Sequence, residues 1–468
     1  MDAKKNEILK KLPAMDGLLN QPWVFLYERQ LGREMVKGVF SQILSEVRKA
    51  VLEDVPVDAS LEGVNTKAEA ILQRRTTPGL QAVVNATGVV VHTNLGRSCL
   101  PQEAVEAVSH VAARYNTLEF NLLEGKRGQR NAHVEWLLCQ VTGAEAAIVV
   151  NNNAGAVLLC LAALAREKEV IVSRGELVEI GGSFRIPDIM AFSGARLVEV
   201  GATNRTHLRD YHRGLSDNTA MVLKVHPSNF KIEGFTAIVD REELSCFAKE
   251  NGLIFMEDLG SGVLVDLSPW GLVGEPTVRD CIKAGVDLVT FSGDKMLGGP
   301  QIGAIVGKKE LVDTLRTYPL LRALRVDKMT LAAFEVILRM YLQDRWQEVP
   351  TLKMLTLELE TLKKRARRLR GMLKRRFPHI IATVVETQDA VGGGAFPTTI
   401  IKGYGVALQI PALGSAGSLQ ALLRNAAMPV VAGASEDCLI LHCRTLMEGD
   451  ESRIVESLSS IGEVGICE

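Results

Sequence analysis

Apolar positions change their period along this chain, and each change marks a different kind of element. Over residues 1–78 they recur at turn-like spacing, Ile8, Leu9 and Leu12, then Phe25, Leu26 and Leu31, among basic residues such as Lys10, Lys11, Arg29 and Arg33. Val36, Val39, Phe40, Ile43, Leu44 and Val47 share one face of an amphipathic helix running from Val36 to Val51. No alternating run interrupts this, and the turn cluster Thr76-Thr77-Pro78-Gly79 closes it. A small helical domain over 1–78 is predicted. From 79 to 335 short apolar runs alternate with helical patterns. The runs Ala146–Val150, Glu169–Val172, Ala195–Val200, Ala220–Val225, Leu253–Glu257, Leu288–Phe291 and Gly303–Val306 read as buried strands. Ala154–Arg166 and Arg241–Asn251 read as helices between them. Continuous apolar strands alternating with helices predict an α/β domain, a mostly parallel sheet covered on both faces. From 336 to 468 a long charged helix, Leu352 to Phe377, precedes alternating stretches at Ile380–Glu386, Thr398–Lys402 and Leu439–His442 and the turn Gly392-Gly393-Gly394. This part reads as a smaller α+β domain.

Composition narrows the class. The 468 residues carry 54 basic and 55 acidic side chains, so a global nucleic-acid signature is absent and any polyanion must meet a local patch. The eight cysteines are scattered without a CxxC pair, which argues against zinc ribbons and redox dithiols, and no metal site is expected. Cys438 and Cys443 read as strand-core thiols. The start, Met1-Asp2-Ala3-Lys4-Lys5-Asn6, lacks a signal-peptide apolar region, and no run is long enough to span a bilayer. A cytoplasmic protein with no membrane contact is expected.

The chemistry concentrates at predicted strand ends, where open α/β sheets bind ligands. Ser292-Gly293-Asp294-Lys295 follows an apolar strand and precedes Leu297-Gly298-Gly299-Pro300. A lysine held dry among small residues loses its preference for the charged form and becomes a usable nucleophile, suited to a Schiff base with an aldehyde cofactor such as pyridoxal phosphate. Ser292 lies one helical-turn spacing before Lys295 and is a second candidate for the cofactor phosphate. Asn151-Asn152-Asn153-Ala154 follows a strand and opens a helix, where free backbone N–H groups make an anion site. Ordinary asparagine capping is the plainer alternative. Asp258 ends another strand, placed to pair with a pyridinium nitrogen or simply to cap a turn. His226 ends a third, against the cofactor or as a satisfied structural histidine. His207 and His212 read as surface residues. The helix Lys363-Lys364-Arg365-Ala366-Arg367-Arg368-Leu369-Arg370 is basic, which is the ordinary composition of a solvated face.

Phosphate-binding cap, strand-end Asp, then Ser-x-x-Lys is the order of the aspartate-aminotransferase-like, fold type I enzymes that use pyridoxal phosphate, and residues 80 to 468 resemble them. Longer segments are more specific. Val84–Arg97, Ser173–Arg185, Gly201–His207, Phe291–Gln301 and Leu321–Lys328 resemble the bacterial selenocysteine synthase family, the L-seryl-tRNA(Sec) selenium transferases. Where the family often has more alanines this chain reads Asn153-Ala154-Gly155-Ala156, and Pro227 stands where Ser or Thr is common. The resemblance implies conversion of seryl-tRNA(Sec) to selenocysteinyl-tRNA(Sec), with selenium from selenophosphate. It implies Lys295 as cofactor attachment and base, and Asp294 beside it in donor breakdown or lysine positioning. Arg97, Arg322 and Arg325 match positions that look like the donor site; Arg322 and Arg325, one helical turn apart, would face one anion together. Arg444 sits where related enzymes hold an α-carboxylate, which here would be an uncharged ester, so a contact with the tRNA end or a structural role remains open for it. Family grounds also point to tRNA binding by residues 1–78 and to a homo-oligomer of dimers, a decamer; no DNA partner is implied. Two other readings compete: a β-eliminating lyase on a free amino acid or amino sugar, which typically lacks the helical front domain, and a tRNA-binding protein without catalysis.

Overall fold

A computed structural model of the chain describes residues 3–180, 184–435 and 437–465. Gly181-Gly182-Ser183 of the segment Ser173–Arg185, and Cys467, lie outside the described residues. The chain divides into two compact units, Met1–Ala82 and Val83–Glu468.

The first unit is helical: Ala3–Lys10, Met15–Leu19, Val24–Leu31, Arg33–Leu52 and Leu61–Thr76. The expected apolar stripe of the fourth helix is buried, Val36, Val39, Phe40, Ile43, Leu44 and Val47 together with Val51. Trp23 packs edge-on against Phe40, with centroids 6.1 Å apart. Gly32, at φ +82°, joins the third and fourth helices directly, a backbone conformation that side chains rarely adopt. Ser60 caps the last helix by accepting from the Gly63 N–H.

The second unit holds a seven-stranded sheet. Its order is Ala146–Val150, Gly303–Gly307, Leu288–Ser292, Ile254–Gly260, Thr219–Val225, Glu169–Ser173 and Arg196–Val200. All seven apolar runs form these strands. Gly303–Gly307 runs antiparallel to both neighbours and the other pairings are parallel. Val150, Val225, Gly260 and Ser292 therefore all end at one edge of the sheet. Strands Ala146–Val150 and Leu288–Ser292 are wholly buried, as expected where helices cover both faces. At that edge the chains approach closely. A Cβ on Gly303 would lie 2.2 Å from the Asn152 carbonyl oxygen, so only glycine fits.

A second, six-stranded sheet has the order Val84–Ala86, Val430–Ser435, Cys438–His442, Ile400–Gln409, Ile381–Gly392 and Val89–Val91. Residues 84–91, grouped by sequence with the large α/β domain, supply both edges of this sheet. Each edge strand is only three residues long and pairs with a strand far away in the sequence, Val84 with Val430 and Val89 with Ala390. Periodicity within a short window does not register such pairing.

The charged helix expected from Leu352 to Phe377 is two helices, Pro350–Leu355 and Leu359–Arg376. Arg444 accounts for the break. Its Nη1 donates to the carbonyls of Met354 at 2.7 Å and Leu355 at 3.5 Å, occupying acceptors that a continuing helix needs. Arg444 is 1% exposed. Nε donates to Asp389 Oδ2 at 2.8 Å, and Nη2 to the Lys402 carbonyl at 2.6 Å. The other Asp389 oxygen meets His442 Nδ1 at 2.7 Å and accepts from Thr387 Oγ1 at 2.9 Å. Of the two roles left open for Arg444, this geometry supports the structural one: its guanidinium nitrogens are engaged by Asp389 and the Lys402 carbonyl in the second sheet and by the end of the helix Pro350–Leu355. Two residues of the basic helix are also used internally. Arg365 pairs with Glu451 at 2.5 Å and donates to the Met447 carbonyl, and Arg370 donates to the Ala382 carbonyl.

Arg444→Leu strands the buried Asp389 carboxylate, and a loss of about 3–5 kcal/mol is expected. Urea unfolding monitored by circular dichroism reads it, and adding Asp389→Leu should restore part of the loss. An Arg444→Leu protein as stable as wild type would contradict the clamp.

Candidate active site

Three strand ends meet through their register. Val150 pairs with Gly303 and Gly303 with Ser292, so Asn151 and Gly293 leave the sheet at the same edge. Val225 pairs with Asp258, and Asp258 with Thr290. This places Asp258 between the strand that ends just before His226 and the strand that ends in Ser292. The His226 N–H donates to the Asp258 carbonyl at 2.9 Å.

Asp258 is 3% exposed. Its Oδ1 accepts from Asn153 Nδ2 at 2.8 Å and from Thr290 Oγ1 at 3.1 Å. The described hydrogen bonds leave Oδ2 open. Burial pushes this carboxyl above the ordinary range, against the pull of Asn153, Lys295 and Thr290. Lys295 follows in a turn after the strand rather than in a helix, so the helical spacing expected between it and Ser292 does not apply. Ser292 is buried at the strand end. Burial holds the Lys295 ammonium below the ordinary lysine value; Asp258 pulls the other way, Arg97 adds to the depression, and Asp294 and Glu275 oppose it. Both groups of the Asp258–Lys295 pair are thus displaced toward neutrality by the same loss of water.

The chamber around the amine is closed from the second sheet. A Cβ on Gly394 would lie 2.6 Å from Lys295 Nζ and 2.9 Å from Cε, and Gly394 has φ +85°. The turn that carries it is pinned on both sides. A Cβ on Gly392 would lie 2.3 Å from the Val91 carbonyl, and one on Gly393 2.4 Å from Thr93 Cγ2. Beyond it the Phe396 N–H donates to Glu275 Oε1 at 3.0 Å. Glu275 Oε2 lies 3.0 Å from His226 Nε2. Burial raises the Glu275 pKa, but His226 and the Phe396 N–H outweigh it and the net shift is downward.

Arg97, at φ +62°, donates from Nη1 to Asp294 Oδ2 at 2.7 Å. The Asp294 carbonyl accepts from the Ser98 N–H and hydroxyl, while its Oδ1 is buried without a partner. The asparagine run divides its labour. Asn152 is the helix cap, its Oδ1 accepting from the Gly155 N–H at 2.8 Å, so for this residue the plainer reading holds. Asn153 turns its amide to Asp258 and leaves Oδ1 buried and unpaired. The Asn151 N–H is taken by the Leu324 carbonyl at 2.9 Å. The N–H groups of Asn153 and Ala154 find no acceptor among the described residues, so an anion fits there. Arg322 and Arg325 do not share a helical turn. The helix Leu320–Ala323 ends between them, and Arg325 bridges Val150 through its backbone while its guanidinium lies 3.8 Å from Glu119. His207 caps the helix Leu208–Gly214 at the surface, and His212 stacks edge-on against Phe247.

Sequence reasoning missed Thr290, Glu275 and Gly394. Thr290 was detectable as the polar residue inside the apolar run Leu288–Phe291. Gly394 stood in a glycine run that reads equally as an ordinary turn. Nothing local marked Glu275.

Residues 83–447 match the family model SelA, L-seryl-tRNA selenium transferase. An L-seryl-tRNA(Sec) selenium transferase of Clostridium perfringens is 46% identical over 463 residues, 98% of this chain and 99% of that protein. One from Hyphomonas neptunium is 46% identical over 465 residues, covering 97% and 99%. Among solved structures, D-glucosaminate-6-phosphate ammonia-lyase superposes with a TM-score of 0.58 at 21% identity, over 85% of this chain and 99% of that one. The fold is the expected fold type I architecture.

The depressed Lys295 pKa predicts that its amine is neutral at pH values where exposed lysines remain protonated. Reductive methylation of the cofactor-free protein across pH, mapped by peptide, should modify Lys295 with a lower midpoint than the exposed lysines. Asp258→Asn removes a charge that favours the ammonium and should move the midpoint lower still; a midpoint equal to that of exposed lysines would refute the dry chamber. Gly394→Ala forces a methyl group against the Lys295 stem, and we expect a loss of about 1–3 kcal/mol with an altered Lys295 midpoint.

Proposed function

The chain belongs to the L-seryl-tRNA selenium transferase family, and from that membership we infer that it converts L-seryl-tRNA(Sec) to L-selenocysteinyl-tRNA(Sec), with pyridoxal phosphate as cofactor and selenophosphate as donor. The observation that carries the assignment to these residues is the buried Lys295 amine with Asp258 in electrostatic reach. The lining fits the cofactor: the open N–H groups of Asn153 and Ala154 suit a phosphate, Asp258 Oδ2 suits a protonated ring nitrogen, and the unpaired Asn153 Oδ1 awaits a donor. When bound, pyridoxal phosphate supplies an electron sink for a carbanion at the seryl Cα.

The protein's own groups divide the remaining work. Asn153 and Thr290 hold the Asp258 carboxylate oriented, so its charge is available to keep a ring nitrogen protonated. Asn151 and Asn152 set the loop that presents the anion-binding N–H groups, and the buried Ser292 is a further hydroxyl at that edge. Lys295, kept below its ordinary pKa, accepts the Cα proton as general base and later returns it. The seryl hydroxyl leaves with a proton as water, and selenium takes its place at Cβ as the P–Se bond of the donor breaks and its phosphoryl group passes to water, leaving as phosphate. Arg97, already drawn to Asp294 beside Lys295, supplies a cation for the donor phosphate, and family resemblance alone adds Arg322 and Arg325 to that set. Asp294, with one oxygen on Arg97 and one unpaired, orients that guanidinium. His226, held by Glu275, flanks the cofactor. Lys37, Arg48 and Arg74 are exposed on the helical unit without carboxylate partners among the described residues, which supports tRNA binding there. Among the described residues no helix is long and apolar enough to cross a membrane. A tRNA substrate places the reaction in the cytoplasm, and family resemblance adds a homo-oligomer of dimers, decameric in size.

Borohydride reduction of the holoenzyme and peptide mapping should label Lys295 alone. Lys295→Ala should lower single-turnover conversion of seryl-tRNA(Sec) by at least about 10³-fold, because base and attachment point are lost together. Label on another lysine, or an active alanine variant, would overturn the assignment.

A further inference from the structure

Arg97 and Lys295 come from segments with no covalent reason to keep step. Lys295 stands in the turn 293–297, and Arg97 in the loop 92–98, far earlier in the chain. That loop is wound tightly. The His92 carbonyl accepts from the N–H groups of Leu95 and Arg97, both at 3.1 Å, and His92 Nδ1 accepts from the Asn94 N–H at 3.3 Å. Gly96 and Arg97 follow at φ +84° and +62°. A non-glycine residue in this left-handed region is disfavoured and persists where its surroundings fix it. Arg97 is fixed through its guanidinium, which pairs with Asp294, and through the next residue, Ser98.

Ser98 turns both of its donors to the lysine turn. Its N–H donates to the Asp294 carbonyl at 3.3 Å. Its hydroxyl lies 2.9 Å from the same carbonyl oxygen and 2.8 Å from the Lys295 carbonyl oxygen. A hydroxyl carries one hydrogen, so two successive carbonyls share it and must stay side by side to do so. Asp294 is thereby held at both ends, its carboxylate by Arg97 at 2.7 Å and its carbonyl by Ser98. Arg97, Ser98, Asp294 and Lys295 close a ring of contacts across the two segments. Other bonds hold the turn without reaching the loop of Arg97. The Met296 N–H donates to the Ser261 carbonyl at 3.1 Å, and the Tyr341 hydroxyl donates to the Leu297 carbonyl at 2.9 Å.

The ring matters because amine and cation serve adjacent carbons. The base must reach the seryl Cα, and a donor held by Arg97 must reach Cβ. A misplacement of about 1 Å in such an arrangement costs on the order of 10²-fold in rate. The two groups also act on each other. Burial lowers the Lys295 pKa and Asp258 opposes it; Arg97 lowers it further, while Asp294 and Glu275 oppose it. We propose that Ser98 is a positioning residue for selenium transfer: its hydroxyl joins the loop of the donor cation to the turn of the reactive amine, so that Arg97 and Lys295 keep one separation through both halves of the reaction. The proposal rests on the reading of Arg97 as donor cation given above.

The test compares wild type, Ser98→Ala, Ser98→Thr and Tyr341→Phe, which removes a hydroxyl from the same turn but not from the loop of Arg97. Reductive methylation of the cofactor-free protein gives the Lys295 midpoint in each, with and without Arg97→Leu. That substitution removes a cation and frees Asp294, and both changes raise the midpoint. We expect the full rise in wild type, Ser98→Thr and Tyr341→Phe, and at most about half of it in Ser98→Ala, where the two groups are no longer held together. The borohydride-reduced holoenzyme, its lysine and cofactor sites filled, is then titrated with thiophosphate as a donor-like anion. Ser98→Ala should bind it about fivefold more weakly, the effect of one hydrogen bond, while Ser98→Thr and Tyr341→Phe bind as wild type does. KM for selenophosphate should rise in Ser98→Ala by more than kcat falls, with KM for seryl-tRNA(Sec) unmoved. An equal rise of the midpoint in Ser98→Ala and wild type would overturn the proposal. So would a threonine variant that behaves like alanine, or a Tyr341→Phe protein with the same losses. Thiophosphate binding that Arg97→Leu leaves unaltered would count against the donor reading instead. The methylation comparison needs no substrate, so it judges the role of Ser98 even then.

Discussion

Keeping one amine dry organises this molecule. An isolated ammonium in a low-dielectric interior is costly, and the cost is met by releasing the proton or by placing charge nearby. Here both occur: burial depresses Lys295, and Asp258, Asp294 and Glu275 draw it back. The dryness depends on both sheets of the second unit. The seven-stranded sheet presents Lys295 at its edge, and the glycine turn of the six-stranded sheet closes over it with no side chain between. Each sheet would be an ordinary scaffold alone; their contact makes the chamber.

The same economy governs the polar residues around the chamber. Asn153 looks like part of a helix cap yet spends its amide on Asp258, while Asn152 does the capping. Arg97 is turned toward Asp294 by an unusual backbone angle. Arg444 is drawn inward to Asp389 and to helix-end carbonyls. Among the described residues, six buried side-chain polar atoms lack a hydrogen-bond partner, and three of them, Asn153 Oδ1, Asp294 Oδ1 and Glu275 Oε2, belong to residues of this site. Buried polar groups without partners are expensive, so their collection here marks the place where ligands complete the hydrogen bonding.

Much of this was legible beforehand. The seven strands of the large sheet were visible as apolar runs, because a strand buried on both faces must be apolar at successive positions. Lys295, Asp258 and the asparagine cap were legible because each follows such a run. The stripe of the helix Arg33–Leu52 was legible for a related reason, since one face of a helix meets a core. The failures share a cause as well. The short strands Val84–Ala86 and Val89–Val91, the break before Leu359 and the fate of Arg444 depend on partners far away in the chain. Arg322 and Arg325 looked like neighbours on a helix only because spacing was all there was to judge by.

Residue order by itself decided the seven strands of the large sheet and the apolar stripe of the helix Arg33–Leu52, and which reactive side chains stood beside those strands. Those choices follow from period and polarity over five to twenty residues. Tertiary structure alone decided which of those side chains meet, which are consumed internally, and where water is excluded. The desolvation of Lys295, the pairing of Asn153 with Asp258 and the withdrawal of Arg444 each require two segments remote in sequence to share one interior. Dielectric environment and hydrogen-bond partners belong to that shared interior, and no stretch of chain contains them by itself.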